Sequence, residues 1–154
     1  MNRSFRFAII GVLFAFVVST VGLSADPAPR TIVIKATDDM KFSVTEIVAK
    51  RGEKLRLVLS SRGTMPKMAM AHNFVLLAKG TDVDAFANTS AVARNTNYIA
   101  PALTSKVLAA TKLAGNGETV EVIFDAPKVP GRYDYICSFP GHYLGGMRGV
   151  LVVK

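Results

Sequence analysis

Cys137 is the only cysteine of this 154-residue chain, and the only two histidines are His142, five positions after it, and His72, far upstream in Met68-Ala-Met-Ala-His72. Met147 closes the segment that Cys137 opens, Cys-Ser-Phe-Pro-Gly-His-Tyr-Leu-Gly-Gly-Met. One thiolate, two imidazoles and a thioether form a soft ligand set. A trigonal arrangement of two histidines and a cysteine with a long axial methionine is that of a single copper ion used for electron transfer. For a lone cysteine the plain alternative is a small buried hydrophobe. Its place before a histidine and beside Pro140 and Gly141 favours a metal ligand.

Each residue type has a definite task in such a site. The sulfur of Cys137 must be a thiolate, a state the metal itself enforces. His72 and His142 must bind as neutral imidazoles, so affinity is expected to weaken on acidification. Met147, as a weak axial ligand, favours Cu(I) and raises the reduction potential. Hydrogen bonds to the sulfur are a further control, with Asn73 and the backbone N–H of Phe139 as the candidate donors.

The elements that must hold these residues read as β-strands. Thr31–Ala36, Lys54–Ser60 and Glu118–Phe124 alternate apolar and polar residues with period two. His72–Leu77, Val107–Leu113, Arg132–Cys137 and Gly149–Val153 are short runs rich in β-branched and aromatic residues. Turn residues at 50–53, 115–117 and 129–131 separate several of them. This pattern predicts an all-β, Greek-key β-sandwich or barrel. Between Gly80 and Ser105 the period changes, and Val83, Phe86, Ala87 and Ser90 or Ala91 fall at helical spacing behind a possible Asp82 cap. A short helix over 83–93, packed against the strands, is expected. If Cys137 ends one strand and Met147 begins the last, the connecting loop brings three ligands to one place. Pro140-Gly141 and Gly145-Gly146 then supply the two bends. His72 arrives from another strand, so only the folded sandwich completes the site.

The N-terminus carries Arg3 and Arg6 before an uncharged apolar run from Phe7 to Val21, then Gly22, Leu23, Ser24 and Ala25. This is the layout of a secretory signal peptide, residues 1–25, with cleavage after Ser24 or Ala25 and a mature domain over 26–154. An uncleaved anchor is the alternative. The run falls short of the ~20 apolar residues of a spanning helix and meets Asp26-Pro-Ala-Pro29 at once. Export to the periplasm is therefore expected, with at most peripheral membrane association. The formal net charge is +8, of which Arg3 and Arg6 leave with the leader. The remaining basic residues either steer an acidic partner or are simply solvated. They are scattered, without the dense basic block or interleaved aromatics of a nucleic-acid surface.

Met70-Ala-His-Asn73, Cys137-Ser-Phe-Pro-Gly-His142 and Met147 resemble the azurins, bacterial members of the cupredoxin family. The resemblance extends to Thr64-Met-Pro-Lys67, Tyr98–Pro101 and Lys106–Glu118 and covers nearly the whole mature chain. It implies His72, Cys137 and His142 as equatorial ligands, Met147 as axial ligand, and the Ala71 carbonyl approaching copper from the opposite side. It also implies a barrel of about eight strands that shuttles electrons between periplasmic partners, such as c-type cytochromes or copper-containing reductases and oxidases. Four residues separate His142 from Met147 where azurins have three, a spacing shared with plastocyanin and auracyanin-like proteins. Ala71 stands where azurins have glycine, and the azurin disulfide is absent.

Electron exchange is expected through an exposed edge of His142, within an apolar patch formed by Met65, Pro66, Phe139, Pro140, Tyr143 and Leu144. Such a patch suits a small, transient redox contact. Copper storage, delivery or resistance by the same ligands is the second class, with Met40, Met65, Met68 and Met70 as additional soft donors. Catalysis fits poorly: there is no third histidine for a second copper or for acid–base work, and one cysteine cannot bridge a dinuclear centre.

Overall fold

A computed structural model describes residues 28–154; the expected signal peptide, residues 1–25, lies outside them. The strands are β1 (Arg30–Thr37), β2 (Lys41–Phe42), β3 (Glu46–Ala49), β4 (Lys54–Arg62), β5 (Val75–Leu77), β6 (Val107–Ala110), β7 (Thr119–Asp125), β8 (Gly131–Ile136) and β9 (Arg148–Val153). They form one sheet in the order β2-β1-β4-β7 and a second in the order β3-β9-β8-β5-β6. The two sheets face one another as a sandwich and do not close into a barrel. Counting β2 and β3 as one strand that changes sheets at Ser43–Thr45 recovers the expected eight. The sequence gives no strand signal over that segment, because its alternation is divided between two sheets. Phe42 pairs with Ala36 in the first, and Ile47 with Leu151 in the second.

The alternating strands bury one face each. Leu55, Leu57 and Leu59 of β4 are fully buried, as is Ile34 of its parallel neighbour β1; each leucine contributes roughly 1.5–3 kcal/mol by leaving water. From the second sheet Tyr133, Tyr135, Leu151 and Val153 meet them. The buried Tyr135 hydroxyl donates to Val44 O at 2.7 Å, which removes the cost of an unpaired polar group inside the core. Tyr133 Oη donates to Val129 O at 2.7 Å and fastens the corner before β8.

In β5, by contrast, Val75, Leu76 and Leu77 are all buried. The second sheet is covered on its outer side here by the helix α1 (Val83–Ser90), which adds Phe86 to a second apolar cluster with Val75, Leu77 and Ile136. Asp82 caps the helix by accepting from Ala85 N at 3.0 Å. The helix ends at Ser90 rather than Ala93. Asn88, Thr89 and Ser90 are weak helix formers, and short 3₁₀ turns over Arg94–Thr96 and Pro101–Lys106 carry the chain onward.

Candidate metal centre

Four chain segments meet at one end of the sandwich: the residues before β5, those after β6, the end of β8 and the start of β9. β8 runs to Ile136, and Cys137 is the next residue; Met147 directly precedes β9. A single backbone bond, Cys137 N–H to Met147 O at 3.0 Å, closes the base of the loop between them. Within it His142 N–H donates to Phe139 O at 3.1 Å and Met147 N–H to His142 O at 2.9 Å. Gly141 at φ +81° and Gly146 at φ +92° take the left-handed conformations that the two bends require. The lysine side chain of Lys41 donates to Gly145 O at 2.7 Å from the adjoining β2.

His72 stands outside the strands. It precedes β5 and forms an isolated two-bond bridge with Ala114, its N–H donating to Ala114 O at 2.9 Å and its carbonyl accepting from Ala114 N at 2.8 Å. The expected continuous strands 72–77 and 107–113 are thus broken on both sides of this bridge. The reason is that the backbone near His72 is turned toward the sulfur of Cys137: the N–H groups of Asn73 and Phe139 both donate to it.

The side-chain amide of Asn73 does something else. Its Oδ1 accepts from Ser138 N at 2.9 Å, and its Nδ2 donates to Ser138 Oγ and to Asn97 O, each at 2.9 Å. It therefore ties the His72 segment to the residue after Cys137 and to the excursion that follows α1.

His72, Cys137 and His142 are 1 %, 0 % and 2 % exposed, and each offers a ligand atom within 4.8 Å of the others. The Cys137 Sγ lies 3.4 Å from His142 Nδ1 and 4.0 Å from Ala71 O. Among the described residues His72 Nδ1 is a buried side-chain nitrogen without any hydrogen-bond partner. An orphaned imidazole nitrogen beside a thiol and a second imidazole nitrogen fits a soft metal ion and is costly otherwise. Met147, fully buried, belongs to the same apolar cluster as Cys137 and Ala71.

Without a metal this pocket favours neutral groups. Burial pushes the Cys137 thiol up to about 12, although the two N–H donors work in the opposite direction. Burial also lowers His72, with Asp38 opposing it, and brings His142 down to about 4 with a smaller contribution from His72. The imidazoles are therefore ready to bind as bases, whereas the thiolate needs the positive charge of a metal.

The expected electron-entry patch is only partly assembled. Met65, Pro66, Pro140 and Leu144 are exposed, with Leu144 at 74 %. Tyr143 is not part of that surface: it is buried in the cluster under α1. Nor does His142 present an open edge. Its ring is covered by Phe139, with centroids 4.7 Å apart, and by His72 at 4.9 Å. Phe139 itself is buried under Tyr98, whose ring meets it edge-on at 5.1 Å. Tyr98 gave no signal of this role in the sequence.

Sandwich and ligands together define a mononuclear copper protein of the cupredoxin class. Residues 30–154 match the model of the copper binding proteins of the plastocyanin/azurin family. The chain is 37 % identical to auracyanin-B of Chloroflexus aurantiacus over 128 residues, which is 82 % of this chain and 53 % of that one. It is also 37 % identical to azurin of Pseudomonas chlororaphis over 125 residues, 79 % of this chain and 95 % of that one. Outer membrane protein H.8 of Neisseria meningitidis serogroup B matches at 36 % over 111 residues, 71 % of this chain and 60 % of that one. The chain thus spans about half of auracyanin-B and three-fifths of protein H.8. Among solved structures, auracyanin A, a blue copper protein of Chloroflexus aurantiacus, superimposes with a TM-score of 0.72 at 36 % identity, covering 82 % of this chain and all of that one. This chain belongs to the plastocyanin/azurin family of copper-binding proteins.

Proposed function

We propose that the protein is a type 1 blue copper electron carrier, exported to the periplasm. Copper, when bound, supplies a one-electron Cu(II)/Cu(I) couple. His72, Cys137 and His142 would hold it, with the Met147 thioether and the Ala71 carbonyl as weaker donors. The backbone N–H groups of Asn73 and Phe139 stabilise negative charge on the sulfur and so tune the couple. The observation that carries this reading is the preassembly of three ligand atoms, all from residues at most 2 % exposed. A carrier must keep its metal and move its ligands little between turnovers, and ligands fixed by a closed core and backbone bridges do both.

The partners that this chemistry suits are c-type cytochromes or copper-containing reductases and oxidases, met briefly at the exposed rim of Met65, Pro66, Pro140 and Leu144. The family relationship supports export, and among the described residues no helix is long and apolar enough to cross a membrane. Copper storage or delivery would call for an accessible, labile site. Voltammetry on the copper-loaded protein, followed by transfer to a strong Cu(I) chelator, separates the two. A reversible one-electron wave with copper retained over many cycles is expected. Loss of copper to the chelator on each reduction would instead show a delivery protein.

A further inference from the structure

Next to the ligand loop lies a surface depression of about 230 Å³, lined by Lys67, Met68, Arg94, Tyr98, Leu113 and Phe139. Its aromatic wall leads inward. Tyr98 touches Phe139, and Phe139 touches the His142 ring, so the depression is two ring contacts from a copper ligand. The wall is held at a conformational cost: Asn97 and Tyr98 are consecutive non-glycine residues at φ 54° and 57°. Four bonds hold them there. Asn97 N–H donates to Arg94 O at 3.2 Å and Tyr98 N–H to Ala93 O at 2.9 Å. Asn73 Nδ2 donates to Asn97 O at 2.9 Å, and Leu113 N–H donates to Asn97 Oδ1 at 3.3 Å.

The rim is cationic and unequally satisfied. Lys67 Nζ is engaged by Glu118 at 2.6 Å. The exposed guanidinium of Arg94 has no hydrogen bond or ion pair with any other described residue. Met68, 76 % exposed, adds an uncovered apolar side chain beside it. A planar guanidinium with five free donors matches carboxylates, and an aromatic and methionine floor with a charged rim matches the anatomy of a protein contact. A free small anion would satisfy Arg94 but leave Met68 and Tyr98 uncovered.

We propose that this depression docks the carboxylate-rich face of a redox-protein partner, with Arg94 as its charge anchor and the Tyr98–Phe139 wall between that partner and His142. The inference rests on the electron-carrier reading. In the encounter one electron passes from the reduced partner to Cu(II), leaving Cu(I) and the oxidised partner; no bond or proton is exchanged.

The test follows bleaching of the copper-loaded full chain by stopped flow at low ionic strength. One reductant is a reduced plant-type [2Fe–2S] ferredoxin, chosen as an acidic protein probe; the other is small cationic hexaammineruthenium(II). Arg94→Glu is expected to slow the ferredoxin reaction at least tenfold and to flatten its salt dependence, with no slowing toward the ruthenium complex, whose positive charge the substitution favours. Lys128→Glu carries the same change of charge at the opposite end of the sandwich and is expected to change either rate less than twofold. Equal slowing by both variants would reduce the effect to net charge and overturn the docking site. So would an unchanged rate in Arg94→Glu. Inhibition of the ferredoxin reaction by acetate at matched ionic strength would make the depression a small-anion site instead. Copper that neither reagent reduces would overturn the electron-carrier reading and this proposal with it.

Discussion

The copper ligands come from two regions built on different principles. Cys137, His142 and Met147 share one loop of eleven residues, closed at its base by a backbone bond and shaped by two left-handed glycines. His72 has no such local arrangement and is placed by its bridge to Ala114, forty-two positions away in sequence, and by the tie from Asn73 to Ser138. The loop can bring three donors near one another with few long-range contacts. The fourth donor arrives only when β5 has paired with β6 and β8 in the second sheet. Geometry at the metal is therefore a tertiary property, and the bridging residues between the two regions control it.

Removing the distant ligand should break the site most severely. His72→Ala leaves the backbone bridge intact, so far-UV circular dichroism should be unchanged while copper affinity falls by more than about 100-fold, given that loss of supporting groups alone costs 10–100-fold. A competition titration with a chelator measures this.

The tie between the regions is next. Asn73→Ala deletes its bonds to Ser138 and Asn97 and leaves the buried Ser138 N–H unpaired. A loss of about 2–4 kcal/mol is expected from such a network, read as a lower midpoint in urea. If the loop were self-sufficient, the spectrum of the copper-loaded variant would not move; a shifted charge-transfer band is expected.

Acid should sharpen the same comparison in the metal-free protein. His142 titrates at about 4 in the fold because of burial, and His72 is lowered for the same reason; in an unfolded chain both lie near 6.5. Between these values the unfolded chain takes up protons that the folded one refuses, so stability is greatest above about pH 6.5 and falls as pH drops toward 4. Urea midpoints across that range should decline. A flat profile would contradict the burial of both imidazoles.

A smaller effect is expected from the second bend. Gly146→Ala places a side chain at φ +92°, and its Cβ would meet the flexible end of Lys41 at 2.6 Å. The left-handed conformation should cost about 1–2 kcal/mol, measured by thermal melting, with Met147 the ligand most disturbed.

The ligand set was legible in the sequence because its chemistry leaves so few residues to choose from: one cysteine, two histidines, and a methionine placed after paired glycines. The strands with a single buried face, β4 and β7 among them, were legible for the same reason that they are stable. The alternation of Leu55, Leu57 and Leu59 is itself the packing. What escaped was what depends on neighbours far along the chain. The strand that changes sheets at Ser43–Thr45 splits its period between two partners. His72 reads as part of a strand until its backbone is seen to serve Ala114 and the Cys137 sulfur. Tyr143 reads as a rim residue until α1 is in place above it. The left-handed pair Asn97–Tyr98 was invisible, since tyrosine carries no turn signal and the bonds from Asn73 and Leu113 that help to fix that conformation come from distant segments.

The central claim is that His72, Cys137 and His142 bind one copper ion through a thiolate. The most direct test is the visible absorption and electron paramagnetic resonance spectrum of the protein with one equivalent of Cu(II), beside Cys137→Ala. An intense thiolate-to-copper charge-transfer band that vanishes in the variant is the predicted result. A colourless protein, or equal copper binding by Cys137→Ala, would contradict it.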